Sequence, residues 1–157
     1  MQIMRAVAAE DVSRVIGRPD VVGEIWDLAG EPAVPLHETI YHLLAKNSTY
    51  VDGAVDEVTV GIVSFIPINS VTWNPHIVVV PEYQGSGVGT AILLDAIEWM
   101  FSNTPCRKIV AYPPVFKGKM IRVFEKCGFK VEGYSPASFL WRGMLHDRVL
   151  MGLERKA

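Results

Sequence analysis

Cysteine is scarce in this chain. Cys106 and Cys127 are its only two among 157 residues, and they stand far apart. That excludes a disulfide framework and any paired-cysteine zinc spacing, and it points to a reducing compartment. Long apolar runs are missing as well. No stretch approaches the ~20 residues that cross a bilayer, and Met1-Gln2-Ile3-Met4-Arg5 lacks the apolar centre of a secretory leader. The expected location is the cytoplasm, with no membrane partner. Charge of one sign is lacking too. The net charge is −2, with acids and bases interspersed, which argues against a nucleic-acid partner held by phosphate neutralisation. His37-Glu38-Thr39-Ile40-Tyr41-His42 is a near miss for the zinc pattern H-E-x-x-H. His42 falls one place late, so the two imidazoles do not share a helix face, and no metal is expected.

Half of the residues are hydrophobic, in a length that suits one domain with a substantial core. Neither a linker nor an internal repeat is visible, so residues 1–157 are read as a single domain. Residues 2–7 read as a strand, and helical patterns start near Ala9, Val21 and Leu36. A strand interrupted near Asp52-Gly53 comes next, and then apolar strands over 58–68 and 71–80. Gly61 marks a close backbone approach in the first of these. Ile92, Leu93, Ala96, Ile97 and Met100 recur at helical spacing within 90–101. A strand over 107–112 stops at Pro113-Pro114, and a helix over 119–127 stops at Gly128, a C′ glycine. Two strands close the chain, over 129–134 and 148–154. This alternation implies a mixed sheet with right-handed crossovers.

The most specific feature joins the strand ending at Val80 to the helix after it: Pro81-Glu82-Tyr83-Gln84-Gly85-Ser86-Gly87-Val88-Gly89-Thr90. A strand that hands over to a helix through a glycine turn aims several backbone N–H groups at one spot. The first amides of a helix have no internal partner, and the helix dipole places partial positive charge there. Such a turn cradles phosphate. Side chains at Gly85, Gly87 or Gly89 would hold an anion away or forbid the turn. A Walker loop is excluded because no Lys follows the last glycine. A dinucleotide fingerprint does not fit either, because position 90 is Thr where G-x-G-x-x-G wants Gly.

The pattern Gln/Arg-x-x-Gly-x-Gly/Ala does fit, as Gln84-Gly85-Ser86-Gly87-Val88-Gly89. It resembles the pyrophosphate loop of the GNAT superfamily, the Gcn5-related N-acetyltransferases. Phe124-Glu125-Lys126-Cys127-Gly128-Phe129 resembles that family's Tyr-Glu-Lys-x-Gly-Phe segment, and residues 147–155 resemble its closing strand. The element order is similar along nearly the whole chain. The resemblance implies an α/β (α+β) fold, with a central twisted, mostly antiparallel sheet of six or seven strands, splayed between strands 4 and 5 and flanked by helices. It implies acetyl-CoA as co-substrate and an amine as acceptor, acetylated by direct attack.

Carried onto this sequence, the diphosphate would take amides from Gln84, Gly85, Ser86, Gly87, Val88, Gly89 and Thr90. The pantetheine arm would run along residues 77–80 like an added strand, touching Val78, Val79 and Val80. An amide near Val78 or Val79 would polarise the thioester carbonyl. His76 stands where many members place their base, and its ordinary pKa near ~6.5 suits proton transfer. The family's usual acid is a tyrosine, and the chain has Phe124 there, which cannot donate a proton. The family's Asn seven residues earlier is replaced by Lys117. Two substitutes for that acid are open: Tyr112, at the end of the fifth strand, and water, since a CoA thiolate is a tolerable leaving group near neutral pH. Lys117 and Lys119 near the cofactor's mouth either meet its 3′-phosphate or are solvated surface lysines, the commoner case. Trp73, Phe65, Trp141 and Tyr50 either wall an acceptor pocket or are plain core, the commoner place for large aromatics. Cys127 reads as a small buried hydrophobe. The resemblance also implies a homodimer through the final strands, with an apolar edge over residues 150–153.

Phe124 motivates a reading from another class: a GNAT-fold structural or interaction module without catalysis, of a kind not out of place among phage-encoded proteins. An acyl-CoA sensor would differ from the enzyme only in lacking turnover. Within the enzyme reading, a small amine, a protein amine and an amino group on a nucleobase all remain open as acceptors.

Overall fold

A computed structural model describes residues 2–5, 49–55 and 58–157, with side chains from residue 61 onward. The helical patterns read near Ala9, Val21 and Leu36, and the His37–His42 near miss, lie outside the described residues. The strands are β1 (Gln2–Arg5), β2 (Thr49–Val55), β3 (Val58–Pro67), β4 (Thr72–Val79), β5 (Lys108–Ala111), β6 (Lys130–Trp141) and β7 (Met144–Glu154). Two helices are described, α1 (Val88–Asn103) and α2 (Gly118–Lys126). All seven strands form one sheet in the order β1-β2-β3-β4-β5-β7-β6. Among the described strands only the β4–β5 pair is parallel. Among the described residues no helix is long and apolar enough to cross a membrane.

The core lies where α1 packs on the sheet. Ile92, Leu93, Ala96, Ile97 and Met100 are all buried on α1, against Ile62, Phe65, Ile77 and Ile109 among others. Each large aliphatic side chain withdrawn from water this way contributes about 1.5–3 kcal/mol. Gly61 lets the helix come close: a Cβ there would stand 2.7 Å from Ile92 Cδ1 and 3.1 Å from the Val78 carbonyl oxygen. The interruption expected near Asp52-Gly53 is a register shift between Gly53 and Ala54 inside a continuous β2.

α2 ends in a Schellman motif. The amide of Phe129 donates to Phe124 O and that of Gly128 to Glu125 O, each at 3.0 Å. Gly128 takes φ +94°, a left-handed conformation that favours glycine. The rings of Phe124 and Phe129 meet at 5.0 Å between centroids, the apolar contact that accompanies this kind of helix stop.

Two expectations change at the C-terminal end. The last two strands are longer than read and form a hairpin, closed by Arg142 (φ 49°) and Gly143 (φ 73°). Two central residues with positive φ make the turn that matches strand twist. Also, residues 150–153 do not form a free edge. β7 is paired with β5 on one side and β6 on the other, and the outer strand is β6. An edge cannot template a second copy when both its sides are already bonded.

The close contact at Gly61 yields a stability test. Gly61→Val should destabilise the fold by about 1–3 kcal/mol through overpacking against α1. Urea unfolding measures this, and the midpoint should fall with little change in slope.

Candidate functional site

The site begins where β4 and β5 part. Their ladder has two register pairs, Thr72↔Lys108 and Trp73↔Ile109. Beyond it the Asn74 side chain donates from Nδ2 to Val110 O at 2.7 Å, bridging the strands as they diverge. The next residue, Pro75, has no N–H to continue the ladder. The β5 side of β4 is then free of a neighbouring strand, and the opening becomes a hollow.

Alternation fixes which groups face it. Val71 O accepts from Arg107 and Lys108, on the β5 side, while Thr72 O accepts from Ile68, on the β3 side. Peptide groups alternate in direction along a strand, and the β3–β4 register is unbroken from Trp73 to Val79. The backbone groups of Ile77 and Val79 therefore face the open side, and those of Val78 turn to β3. Val79 O is already taken by Gln84 Nε2 at 2.9 Å, and Val80 O by the Tyr83 amide at 3.0 Å.

Gln84 thus ties the strand end to the turn that follows. Pro81–Tyr83 make one 3-10 turn, Ser86 Oγ donates to Tyr83 O, and Gly85 and Gly87 take φ +74° and +84°. Gly87 is the N-cap of α1 and offers no side chain to it. The first helical bond described runs from the Ala91 amide to Gly87 O. The amides of Val88, Gly89 and Thr90 lie ahead of that ladder, as the first N–H groups of a helix do. A Cβ built on Gly85 or Gly87 meets nothing within 4 Å. Glycine is required there by φ, and the space before it is open.

That space is a cleft of about 470 Å³. Ile77, Val79, Gln84, Gly85, Gly87, Gly89 and Thr90 form one wall, and α2 with the residue before it forms the other. The α2 side brings four cations, Lys117, Lys119, Arg122 and Lys126, and the described lining residues include no carboxylate. Lys117 and Lys119 were expected near this mouth. Arg122 and Lys126 were not, although 119, 122 and 126 fall on one helical face, a spacing visible in the sequence. A chain of net charge −2 thus carries a locally basic cleft.

A second hollow of about 210 Å³ adjoins the first, sharing Ile77 and Met120 with it. His76 and Tyr112 both line it, together with Asn74, Phe124 and Arg148. Sequence reasoning missed Asn74 and Arg148. His76 is partly buried, and desolvation holds its imidazole down to about 4 from the ordinary 6.5. It is neutral at pH 7. Across the β3–β4 ladder it faces Ser64, whose buried Oγ has no hydrogen-bond partner among the described residues. Phe124 is buried against Phe129 and presents no polar atom.

The expected aromatic wall is not assembled. Phe65 is fully buried in the core, Trp73 packs against that core, and Trp141 lies beneath Arg142 at the hairpin turn. None of the three lines either hollow, and Tyr50 has no described side chain. An aromatic residue's type does not reveal which way it points. Cys127 is buried, and burial pushes its thiol up to about 11, as befits a small hydrophobe.

Comparison with known proteins fits this geometry. The model of the Acetyltransferase (GNAT) family matches residues 19–129. The chain is 29% identical over 90 residues to the spermidine N(1)-acetyltransferase of Vibrio cholerae, which covers 56% of this chain and 52% of that protein. The chain spans about half the length of the curated relatives it matches. Among solved structures, a spermidine N-acetyltransferase of Vibrio cholerae in complex with CoA and spermine aligns with TM-score 0.80 at 21% identity. The alignment covers 98% of this chain and 94% of that one. The yncA protein of Salmonella typhimurium, solved with acetyl-CoA, aligns with TM-score 0.78 at 20% identity, over 100% of this chain and 95% of that one. These structural likenesses establish the fold.

The buried imidazole gives a pH test with a definite sign. Its pKa is lower folded than unfolded, so between pH 6.5 and 4 the unfolded chain binds the extra proton. The stability tied to this group is whole above pH 6.5 and lost as pH falls toward 4, on the order of 3 kcal/mol in all. Urea unfolding of wild type and His76→Gln at pH 7, 5.5 and 4 should show the wild type losing more. Parallel losses would disprove the assignment.

Proposed function

Since the chain belongs to the GNAT family of acetyltransferases, we propose that it transfers an acetyl group from acetyl-CoA to a primary amine by direct attack. One observation carries this reading. The uncapped start of α1 and the open side of β4 face a basic cleft, and that cleft runs into the hollow lined by His76 and Tyr112. Residues 1–157 act as one domain in this reading, because a single sheet runs from Gln2 to Glu154. The free, buried cysteines suit the cytoplasm.

The residues present fit acetyl-CoA. A Cβ at Gly85 or Gly87 would project into otherwise open space, where a diphosphate needs to approach the main chain. The Gln84 amide, expected at the diphosphate, instead donates to Pro81 O at 3.2 Å, so the amides of residues 85–90 take the diphosphate, and Lys119, Arg122 and Lys126 on one α2 face add charge complementarity. Ile77 and Val79 present backbone groups to the pantetheine arm, and an amide of this pair is placed to polarise the thioester carbonyl. Bound acetyl-CoA supplies an activated acyl thioester. His76 takes the amine's proton as the new C–N bond forms and the C–S bond breaks. Its conjugate acid near 4 makes it a weak base that is uncharged at every physiological pH. It accepts a proton only once the attacking nitrogen has become acidic. Tyr112 donates to the departing thiolate and is reprotonated by solvent. A base and a hydroxyl acid sharing one hollow favour an enzyme over a binding module.

Two measurements test this. Acetyl-CoA at about 100 times its dissociation constant should stabilise the protein by about 2.7 kcal/mol, and Gly87→Val should abolish the thermal shift while circular dichroism stays native-like. Thiol release with an accepted amine should slow about 100-fold in His76→Ala, with acetyl-CoA affinity retained. An unchanged rate would remove His76 from the mechanism.

A further inference from the structure

We infer that Arg148 reads an anionic group on the acceptor, so that the amine acetylated is a small one carrying a carboxylate. This rests on the transferase reading above and narrows it to a substrate class.

Among the described lining residues of the smaller hollow, Arg148 is the one formal charge, and there is no carboxylate. Arg148 is partly buried on β7. No carboxylate pairs with it among the described residues. Its Nε donates to Ser138 Oγ at 3.0 Å, and its guanidinium stacks over the Tyr112 ring at 5.6 Å from the centroid. One edge of the fork is thus held by the protein while the remaining N–H donors need an acceptor.

The support beneath Arg148 is built by a break in β6. Ser135 pairs with Arg148 and Phe139 with His146, so the register shifts between Ser135 and Phe139. Pro136 interrupts the ladder there by lacking an N–H. Ala137 adopts φ 48°, a conformation that costs a non-glycine residue energy. Two bonds hold it: the Ala137 amide donates to Asp147 Oδ1 at 2.9 Å, and Ser138 Oγ donates to Ser135 O at 2.8 Å. The bulge leaves the Ser138 oxygen facing Arg148 Nε. Bulges beside functional sites commonly re-aim a side chain in this way. On the other side Arg148 is bridged to Pro114. The guanidinium is fixed before any ligand arrives, which is what recognition of a planar anion requires.

The charge decides the class. A polyamine would place ammonium groups beside a partly buried guanidinium with no carboxylate among the described lining residues to offset them, and like charges at short range repel. An amine with a carboxylate meets a ready counter-ion at Arg148 and a neutral imidazole at His76. A hollow of about 210 Å³ suits one small molecule better than a peptide chain.

The test is thiol release by the full chain with acetyl-CoA and three acceptor groups: free amino acids, the same amino acids as α-amides, and spermidine. The free amino acids should exceed their amides by about 100-fold in kcat/KM, with spermidine slower still. Arg148→Gln should erase that ratio mainly through KM, and Arg148→Lys should restore part of it. Ser138→Ala should shrink it, because Nε loses its anchor. The acetyl-CoA thermal shift, read in each variant, reports that fold and cofactor cleft survive. Spermidine outpacing the amino acids, or a ratio unchanged in Arg148→Gln, overturns the inference and leaves the transferase reading standing. A thermal shift with no turnover of any amine overturns both.

Discussion

The short ladder between β4 and β5 is the constraint on which the rest of this site depends. Two strands that paired along their whole length would leave no hollow. Two that never met would leave polar edges to be solvated. Here the pairing lasts through Trp73↔Ile109 and Asn74 completes one more bond with its side chain. Pro75 then removes the donor that would carry the ladder on. The alternation of peptide groups delivers Ile77 and Val79 to the gap, and Gln84 and Tyr83 turn the last two carbonyls back onto the loop. The sheet stays continuous on the β3 side throughout. The opening therefore costs little core, and it ends where the helix amides begin.

Charge in this chain is arranged locally, and composition conceals it. A net charge of −2 averages over a cleft whose α2 side brings four cations and whose described lining residues include no acid. Three of those cations lie on a single face of α2, and the helix is held at that angle by its Schellman stop and the Phe124–Phe129 contact. The smaller hollow beside it is electrostatically different. Its histidine is kept neutral by burial, so its one formal charge among the described residues is Arg148. The two adjoining hollows thus differ in how much positive charge their described residues bring, four cations in one and a single guanidinium in the other.

Local chemistry was legible in the sequence; tertiary aim was not. The glycine loop was readable because Gly85 and Gly87 are dictated by their own dihedral angles. The buried face of α1 was readable because helical spacing is a property of neighbours in sequence. Gly128 and Gly61 were readable for similar reasons. Asn74, Arg122, Lys126 and Arg148 escaped, because their roles arise only when distant elements meet. The β6–β7 hairpin was read too short for a physical reason: Ser135-Pro136 has the composition of a strand end. The strand instead absorbs the proline in a bulge and resumes pairing at Phe139. Arg142-Gly143 is an unobtrusive turn, because Arg rarely adopts positive φ.

Phe124 shows how fold and chemistry compete for one position. A tyrosine there would have to present its hydroxyl to the hollow while its ring packed against Phe129. The ring contact is part of how α2 ends, and the side chain is almost wholly buried. A buried phenol needs a hydrogen-bond partner, whereas phenylalanine meets the packing demand with no polar group to satisfy. The position thus serves the helix stop, and in the proposed transfer the proton donor comes from another element. Tyr112 can take that part because β5 ends at Ala111, before Pro113 and Pro114. The next side chain is released into the same hollow, where Arg148 covers its ring. The segment is fastened on its far side by bonds from Val149 to Pro113 O and from Val115 to Asp147 O, each at 2.9 Å. Tyr112 and Arg148 are therefore held by one piece of structure, and a change in the hairpin that moves the Arg148 guanidinium also moves the Tyr112 ring beneath it.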